Sequence, residues 1–258
     1  MLVAAIQMTA GSSVDAALAR ADALIAEAAS EGARLVALPE YFAWTGPEDK
    51  WPAMAVNGPR ITGAIQKSAV RHSVFVVAGT ALMPSGSKEK ALNVATLFSP
   101  DGARIAEYGK MKLFDATTDK GIYRESSVLE PGASQMTASI DEWTLGIAVC
   151  FELRFPSLFL SLRAMGANMI AVPSAFTRET GKDHWHTLIK CRAMDSQCYI
   201  IAPALCGEQS SNRRYFGHSA IIDPWGEILA MREDGEGIVV ADISMERVED
   251  VRGKMPLL

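Results

Sequence analysis

Short apolar runs rich in Val, Ile and Leu alternate with stretches of helical period along most of the chain. Leu2–Met8 reads as a buried strand. Behind it, Ser12 or Ser13 is positioned to cap a helix whose apolar stripe, Leu18, Ala21, Ile25 and Ala28, recurs at three- and four-residue spacing. Gly32 ends that helix, and residues 34–38 form the next strand, stopped by Pro39. A helix is predicted over 61–71 and a strand over 74–79. Residues 93–98 and 104–108 flank Ser99-Pro100-Asp101-Gly102, a turn sequence that makes them a hairpin.

Between residues 109 and 132 the periodicity is lost, which predicts a long polar connection, functional or disordered. It resumes with strands at 143–149 and 168–172 and helices at 156–165 and 182–196. The second of these helices carries Trp185, Leu188, Ile189, Arg192 and Ser196 along one side. Strands at 199–204, 219–222, 227–231 and 238–243 close the chain, with Asp223-Pro224-Trp225-Gly226 as another turn. No repeat and no low-complexity linker divides it, so a single mixed α/β domain over 1–258 is expected.

Composition narrows the function classes. The 258 residues are 49% hydrophobic and 21% charged, values of a folded chain rather than a disordered one. The net charge of −5 gives no basic surface for a phosphate backbone, so no nucleic-acid partner is expected. Four scattered cysteines, Cys150, Cys191, Cys198 and Cys206, make neither a disulfide scaffold nor a CxxC zinc site. The first residues lack a basic leader, and no apolar run approaches the ~18 residues of a membrane span. No membrane association and a cytoplasmic location are the expectations.

Three polar residues each end an apolar run, where α/β folds place their ligands. Leu38-Pro39-Glu40 delivers Glu40, Tyr108-Gly109-Lys110 delivers Lys110, and Val149-Cys150-Phe151 delivers Cys150. Taken singly, a buried Cys is inert core and a lone Glu or Lys is solvated surface. Together they are chemically coherent. A thiol is mostly protonated at neutral pH and needs a base or a cation before it attacks. Glu40 is a base for it, Lys110 a cation for a developing oxyanion, and the Phe151 N–H at the strand-to-helix turn a second oxyanion donor. The set suits acyl transfer from an amide through a thioester.

Leu38-Pro39-Glu40, the Tyr108–Asp115 block and the segment Val149-Cys150-Phe151-Glu152-Leu153-Arg154-Phe155-Pro156 resemble, in order and interval, the three signature blocks of the nitrilase (carbon–nitrogen hydrolase) superfamily. The resemblance implies a four-layer α-β-β-α sandwich and a Glu40-Lys110-Cys150 triad. It further implies no metal, no organic cofactor and a homo-oligomer, usually a dimer. Glu125, in Tyr123-Arg124-Glu125-Ser126, matches the family's second active-site Glu. Pro173-Ser174-Ala175-Phe176, Thr180-Gly181-Lys182-Asp183-His184-Trp185 and Gly217-His218-Ser219 resemble the branch that hydrolyses deaminated glutathione. Lys112, Glu152, Ser157 and His186 depart from that branch, which has His, Asp, Glu and Glu at those positions.

The expectation is therefore a cofactor-free amidase that hydrolyses the terminal amide of a small anionic substrate, deaminated glutathione first, releasing ammonia. Alternatives are an ω-amidase acting on α-ketoglutaramate, an N-carbamoyl amino acid hydrolase, and a non-catalytic binding protein that keeps the fold. For the substrate's anionic group Arg154 is the candidate, with a structural ion pair as its competing role. Phe176 is a candidate wall of the pocket or a core residue. His184 and His186 point to different sides of one helix and do not chelate one ion together.

Overall fold

The computed structural model describes residues 1–11, 13–118, 121–208 and 213–257. Its first half runs β1 (Leu2–Met8), α1 (Val14–Ser30), β2 (Leu35–Ala37), α2 (Trp51–Met54), α3 (Gly58–His72), β3 (Phe75–Val77), β4 (Ala81–Pro84), β5 (Ala91–Phe98) and β6 (Arg104–Gly109). A connecting region follows: β7 (Asp115–Thr118), β8 (Gly121–Arg124) and β9 (Leu129–Glu130). The second half runs β10 (Thr137–Ile140), β11 (Trp143–Ile147), α4 (Pro156–Ala164), β12 (Met169–Ala171), α5 (Arg178–Ser196) and β13 (Tyr199–Ala202). Last come β14 (Ala204–Glu208), β15 (Arg214–Phe216), β16 (Ser219–Ile222), β17 (Ile228–Arg232), β18 (Gly237–Asp242) and α6 (Met245–Lys254).

Each half is a parallel three-stranded ribbon with crossover helices. β1, β2 and β3 pair in parallel, as do β11, β12 and β13. Apolar side chains alternate across the first sheet. Ala4, Ile6, Val36, Leu38 and Val76 meet Leu24 and Ile25 of α1 and Ile61 and Ile65 of α3. Val3, Ala5, Leu35, Ala37 and Val77 instead face Leu145, Ile147, Met169 and Ala171 of the second sheet. That sheet's outer face is covered by α4 and α5. A Cβ on Gly146 would meet Leu162 at 3.1 Å, so the glycine lets α4 lie close. Trp185 of α5 is fully buried, and its indole N–H donates to His218 O at 2.8 Å. The order α1/α3, sheet, sheet, α4/α5 is the expected four-layer sandwich.

Several boundaries differ from the pattern, each for a local reason. Ser13 caps α1 by accepting the Ala16 N–H at 3.2 Å, while Ser12 lies outside the described residues. Thr177 caps α5, accepting from Thr180 N–H, so that helix starts one turn before Lys182. The stretch 199–204 is two strands in two sheets. β13 pairs with β12, then the chain passes Pro203, and β14 pairs with β1. A proline has no N–H for a ladder, which suits a crossing between sheets. The segment 109–132 is not an irregular connection, since β7 and β8 form a hairpin and β9 pairs with β5. Among the described residues no helix is long and apolar enough to cross a membrane.

Candidate active site

The C-terminal ends of β2, β6 and β11 open on the same space between the sheets. From β2, Pro39 carries the chain out to Glu40, followed by Tyr41 at a φ of +54°. Lys110 stands directly after β6, its backbone N–H held by Asn93 O at 2.8 Å. After β11 the chain turns at Cys150, whose φ of +50° opens a short 3-10 helix, Cys150–Arg154. A left-handed backbone at a residue with a Cβ is costly and is kept where the surroundings enforce it.

Four side chains converge there. Lys110 Nζ donates to Glu40 Oε1 at 2.9 Å and to Glu125 Oε2 at 2.8 Å. The Cys150 thiol lies beside Glu40 in the same cleft, next to the Ala175 N–H, which donates to Glu40 Oε2 at 3.1 Å. Glu40, Lys110 and Cys150 are all buried, with Glu125 beside them at 5% exposure. An ammonium has three N–H donors, so two carboxylates leave Lys110 one for a substrate oxygen. The Phe151 N–H lies ahead of the first N–H of the 3-10 turn that finds an acceptor in it, that of Glu152 on Val149 O at 3.0 Å. It stands at the turn's N-terminal end with the thiol, where an anion is favoured.

The cluster is a closed ring. Asn93 Nδ2 donates to Glu40 Oε1 at 3.0 Å and to Tyr41 Oη at 2.7 Å, and Tyr41 donates to Glu125 Oε1 at 3.2 Å. The Phe114 N–H supplies a further donor to Glu125 Oε2 at 2.7 Å. Glu40 and Glu125 are thus held on either side of Lys110 by two independent routes. Burial is the largest influence on Glu40 and raises its carboxyl above the usual range. Lys110 opposes that shift, and the Glu125 charge adds to it. Burial likewise lifts the Cys150 thiol well above its ordinary value, reinforced by Glu40. For Lys110, burial disfavours the ammonium, yet Glu125 and Glu40 together outweigh it and keep the amine charged. Burial thus disfavours a preformed thiolate, so attack needs a proton transfer from the thiol to Glu40.

A cleft of about 560 Å³ reaches these groups. Arg154 and Phe176 line it, as the sequence anticipates, together with Glu48, Tyr123 and Arg213. Among the described residues Arg154 forms no ion pair with a carboxylate. It lies over the Phe176 ring at 5.7 Å and meets His184 Nδ1 at 3.2 Å. Phe176 has both of its anticipated roles, since it also packs on Trp185 at 5.0 Å between centroids. Arg213 is already neutralised by Glu48 at 2.6 Å. His184 and His186 diverge, the second bonding His218 at 3.1 Å.

Tyr41, Asn93 and Ala175 were not singled out by the sequence. Asn93 had a signal, a buried polar residue opening an otherwise apolar strand. Ala175 acts through its backbone and had none.

The carbon–nitrogen hydrolase family model matches residues 2–253. A deaminated glutathione amidase of Synechocystis is 39% identical over 262 residues, covering 100% of this chain and 96% of that protein. The human omega-amidase NIT2 is 32% identical over 240 residues, covering 92% of this chain and 86% of the relative. Among solved structures, Saccharomyces cerevisiae Nit3, a member of branch 10 of the nitrilase superfamily, superposes with a TM-score of 0.90 at 30% identity. That match covers 100% of this chain and 94% of the other.

Proposed function

The chain belongs to the carbon–nitrogen hydrolase family and hydrolyses non-peptide carbon–nitrogen bonds, and from that premise we propose that Cys150 is its nucleophile and deaminated glutathione its substrate. The observation that carries the reading is the meeting of Glu40, Lys110, Glu125 and Cys150 in one cleft. Glu40 takes the thiol proton as the sulfur attacks the amide carbon. Lys110 Nζ and the Phe151 N–H receive the oxyanion. Collapse expels the amine, which leaves with the proton from Glu40, and a thioester remains. Glu40 then takes a proton from water, the hydroxide attacks the thioester, and the departing thiolate recovers the proton. Glu125 orients Lys110 throughout.

Arg154 is the cation for the substrate's carboxylate, and Phe176 walls the acyl chain. In deaminated glutathione the amide left from the γ-glutamyl unit is not a terminal one but is joined to the cysteinyl nitrogen, so the amine expelled there is cysteinylglycine, which corrects the ammonia expected from the sequence. Primary amides such as α-ketoglutaramate expel ammonia, and N-carbamoyl amino acids give carbon dioxide as well. Product analysis on the three substrates therefore tests the reading directly. We expect cysteinylglycine and 2-oxoglutarate from the first at the highest kcat/KM, and faster turnover of either other class would displace it. Arg154→Ala is expected to raise KM about 10-fold or more, the loss of one charged hydrogen-bonded contact, with a smaller change in kcat.

The same assignment fixes the sign of the pH dependence. Glu40 works as a base only when ionised, and burial holds its carboxyl above the ordinary value. Activity is expected to fall as pH drops through that raised value, so the acid limb of kcat/KM lies above the ~4.3 of an exposed Glu. An acid limb at or below that value would show that Glu40 is not the base.

The proposal extends to residues 1–258 as one domain and to a cytoplasmic homo-oligomer. For the oligomer alone, the support is Met194 and Trp225, which are half-exposed, with Met194 packed against Gly226.

A further inference from the structure

A second buried carboxylate, outside the ring, has no cation. Glu152 is fully buried, and among the described residues it forms no ion pair. Four donors meet it instead. Tyr108 Oη donates at 2.8 Å, Met111 N–H at 2.7 Å and Lys112 N–H at 3.1 Å, all to Oε1. Val149 N–H donates to Oε2 at 2.6 Å. Each of these contacts uses the carboxylate as acceptor, which is how a buried anion without a counter-ion is made tolerable.

The positions of the donors matter more than their number. Met111 and Lys112 directly follow Lys110, Tyr108 precedes it by two residues, and Val149 directly precedes Cys150. One side chain therefore joins the segment that carries the ammonium to the segment that carries the thiol. The Glu152 N–H also returns to Val149 O at 3.0 Å, closing a reciprocal loop across the left-handed turn at Cys150. The bridge spans two sheets, since β6 pairs with β5 in the first and β11 with β12 in the second.

We propose that Glu152 is a positioning residue that fixes the distance between the Lys110 ammonium and the Cys150–Phe151 turn, so that the oxyanion site is assembled before substrate arrives. This rests on the assignment of Lys110 and Cys150 made above. Donors aimed at a developing charge act only if they are already in place, and a displacement of about 1 Å can cost ~100-fold in rate. Arg154 lies in the same turn, but its side chain is held by His184 and Phe176 and not by Glu152. Loss of the bridge is therefore read in kcat and not in KM.

Glu152→Gln keeps the volume but turns one acceptor oxygen into an NH₂. Whichever way the amide lies, either Val149 N–H or the three donors around Lys110 lose their acceptor. For this variant kcat is expected to fall about 10- to 100-fold, with KM within about threefold of wild type. Formation of the acyl-enzyme in rapid quench should slow by the same factor as kcat. Tyr108→Phe removes one of the four donors and leaves the carboxylate otherwise satisfied. It should show the same split at smaller size, and it decides the matter if Glu152→Gln does not fold.

A merely structural role would lower the melting temperature and leave kcat per folded molecule unchanged. That result, or a parallel change of kcat and KM, overturns the proposal. An active Cys150→Ala protein would instead remove the assignment beneath it. A dead Cys150→Ala protein beside an unaffected Glu152→Gln protein sinks only the positioning role.

Discussion

Cys150→Ala is expected to lower turnover by about 10⁴-fold or more, because the variant has no atom that can form the thioester. The fold should survive. Cys150 sits at the cleft, and removing its Sγ deletes a small group from a lined space rather than from the middle of a packed layer. A stability change of no more than about 1 kcal/mol is expected. The wild-type protein quenched during turnover should carry an acyl group on the Cys150 peptide by mass spectrometry, and the variant none. Residual activity above a few per cent of wild type would end the covalent mechanism.

The other cysteines sharpen that experiment. Cys198 is buried and donates to Ala167 O at 3.2 Å, a core thiol with a backbone partner. Burial pushes Cys206 up to about 11, and no carboxylate hydrogen-bonds it among the described residues. Only Cys150, of the thiols described, pairs with a buried carboxylate that itself holds a lysine. Its distinguishing feature is access to a base, since its own acidity is lowered, not raised, by the site.

How far the sequence went follows from what side-chain patterns encode. The mixed α/β domain was legible because buried strands are apolar runs and amphipathic helices repeat at three and four residues, whereas its four-layer arrangement was implied by the family resemblance. Glu40 and Cys150 were legible because each follows a buried apolar run, while Lys110 follows the largely exposed β6 and was legible through its signature block. The β7–β8 hairpin was not. Its strands, Asp115–Thr118 and Gly121–Arg124, are largely exposed and show no apolar alternation. α6 was missed for a similar reason, since only Val248 and Val251 of its ten residues are buried. The Tyr41–Asn93 arm and the Glu152 bridge depend on partners tens of residues away, many of them backbone N–H groups. A residue that answers backbone amides leaves no complementary side chain in the sequence to find. Glu152 was visible only as a departure from the family pattern, and the structure supplies the contacts that its length reaches.

Lys110→Met should show the second large effect, on stability and activity together. Methionine fills nearly the same space, but Glu40 and Glu125 would then share a buried site with no cation between them. Removing one partner of a buried ion pair destabilises by about 3–5 kcal/mol, and here one lysine serves two carboxylates. The protein's relief is to keep a proton on the pair. In the variant the folded pKa of Glu40 therefore rises further above its unfolded value, so the native state binds more protons than the unfolded chain over that interval. Stability is then highest at low pH and falls as pH rises through the raised value. The melting-temperature gap between variant and wild type should accordingly be narrower near pH 5 than near pH 8. Activity should drop at least about 100-fold at either pH, because the oxyanion loses its charged donor and the retained proton occupies the base. Adding Glu125→Gln removes one buried charge, so the double variant should regain stability without regaining turnover. If it regained both, Lys110 would be holding the carboxylates apart and contributing nothing to the reacting carbonyl.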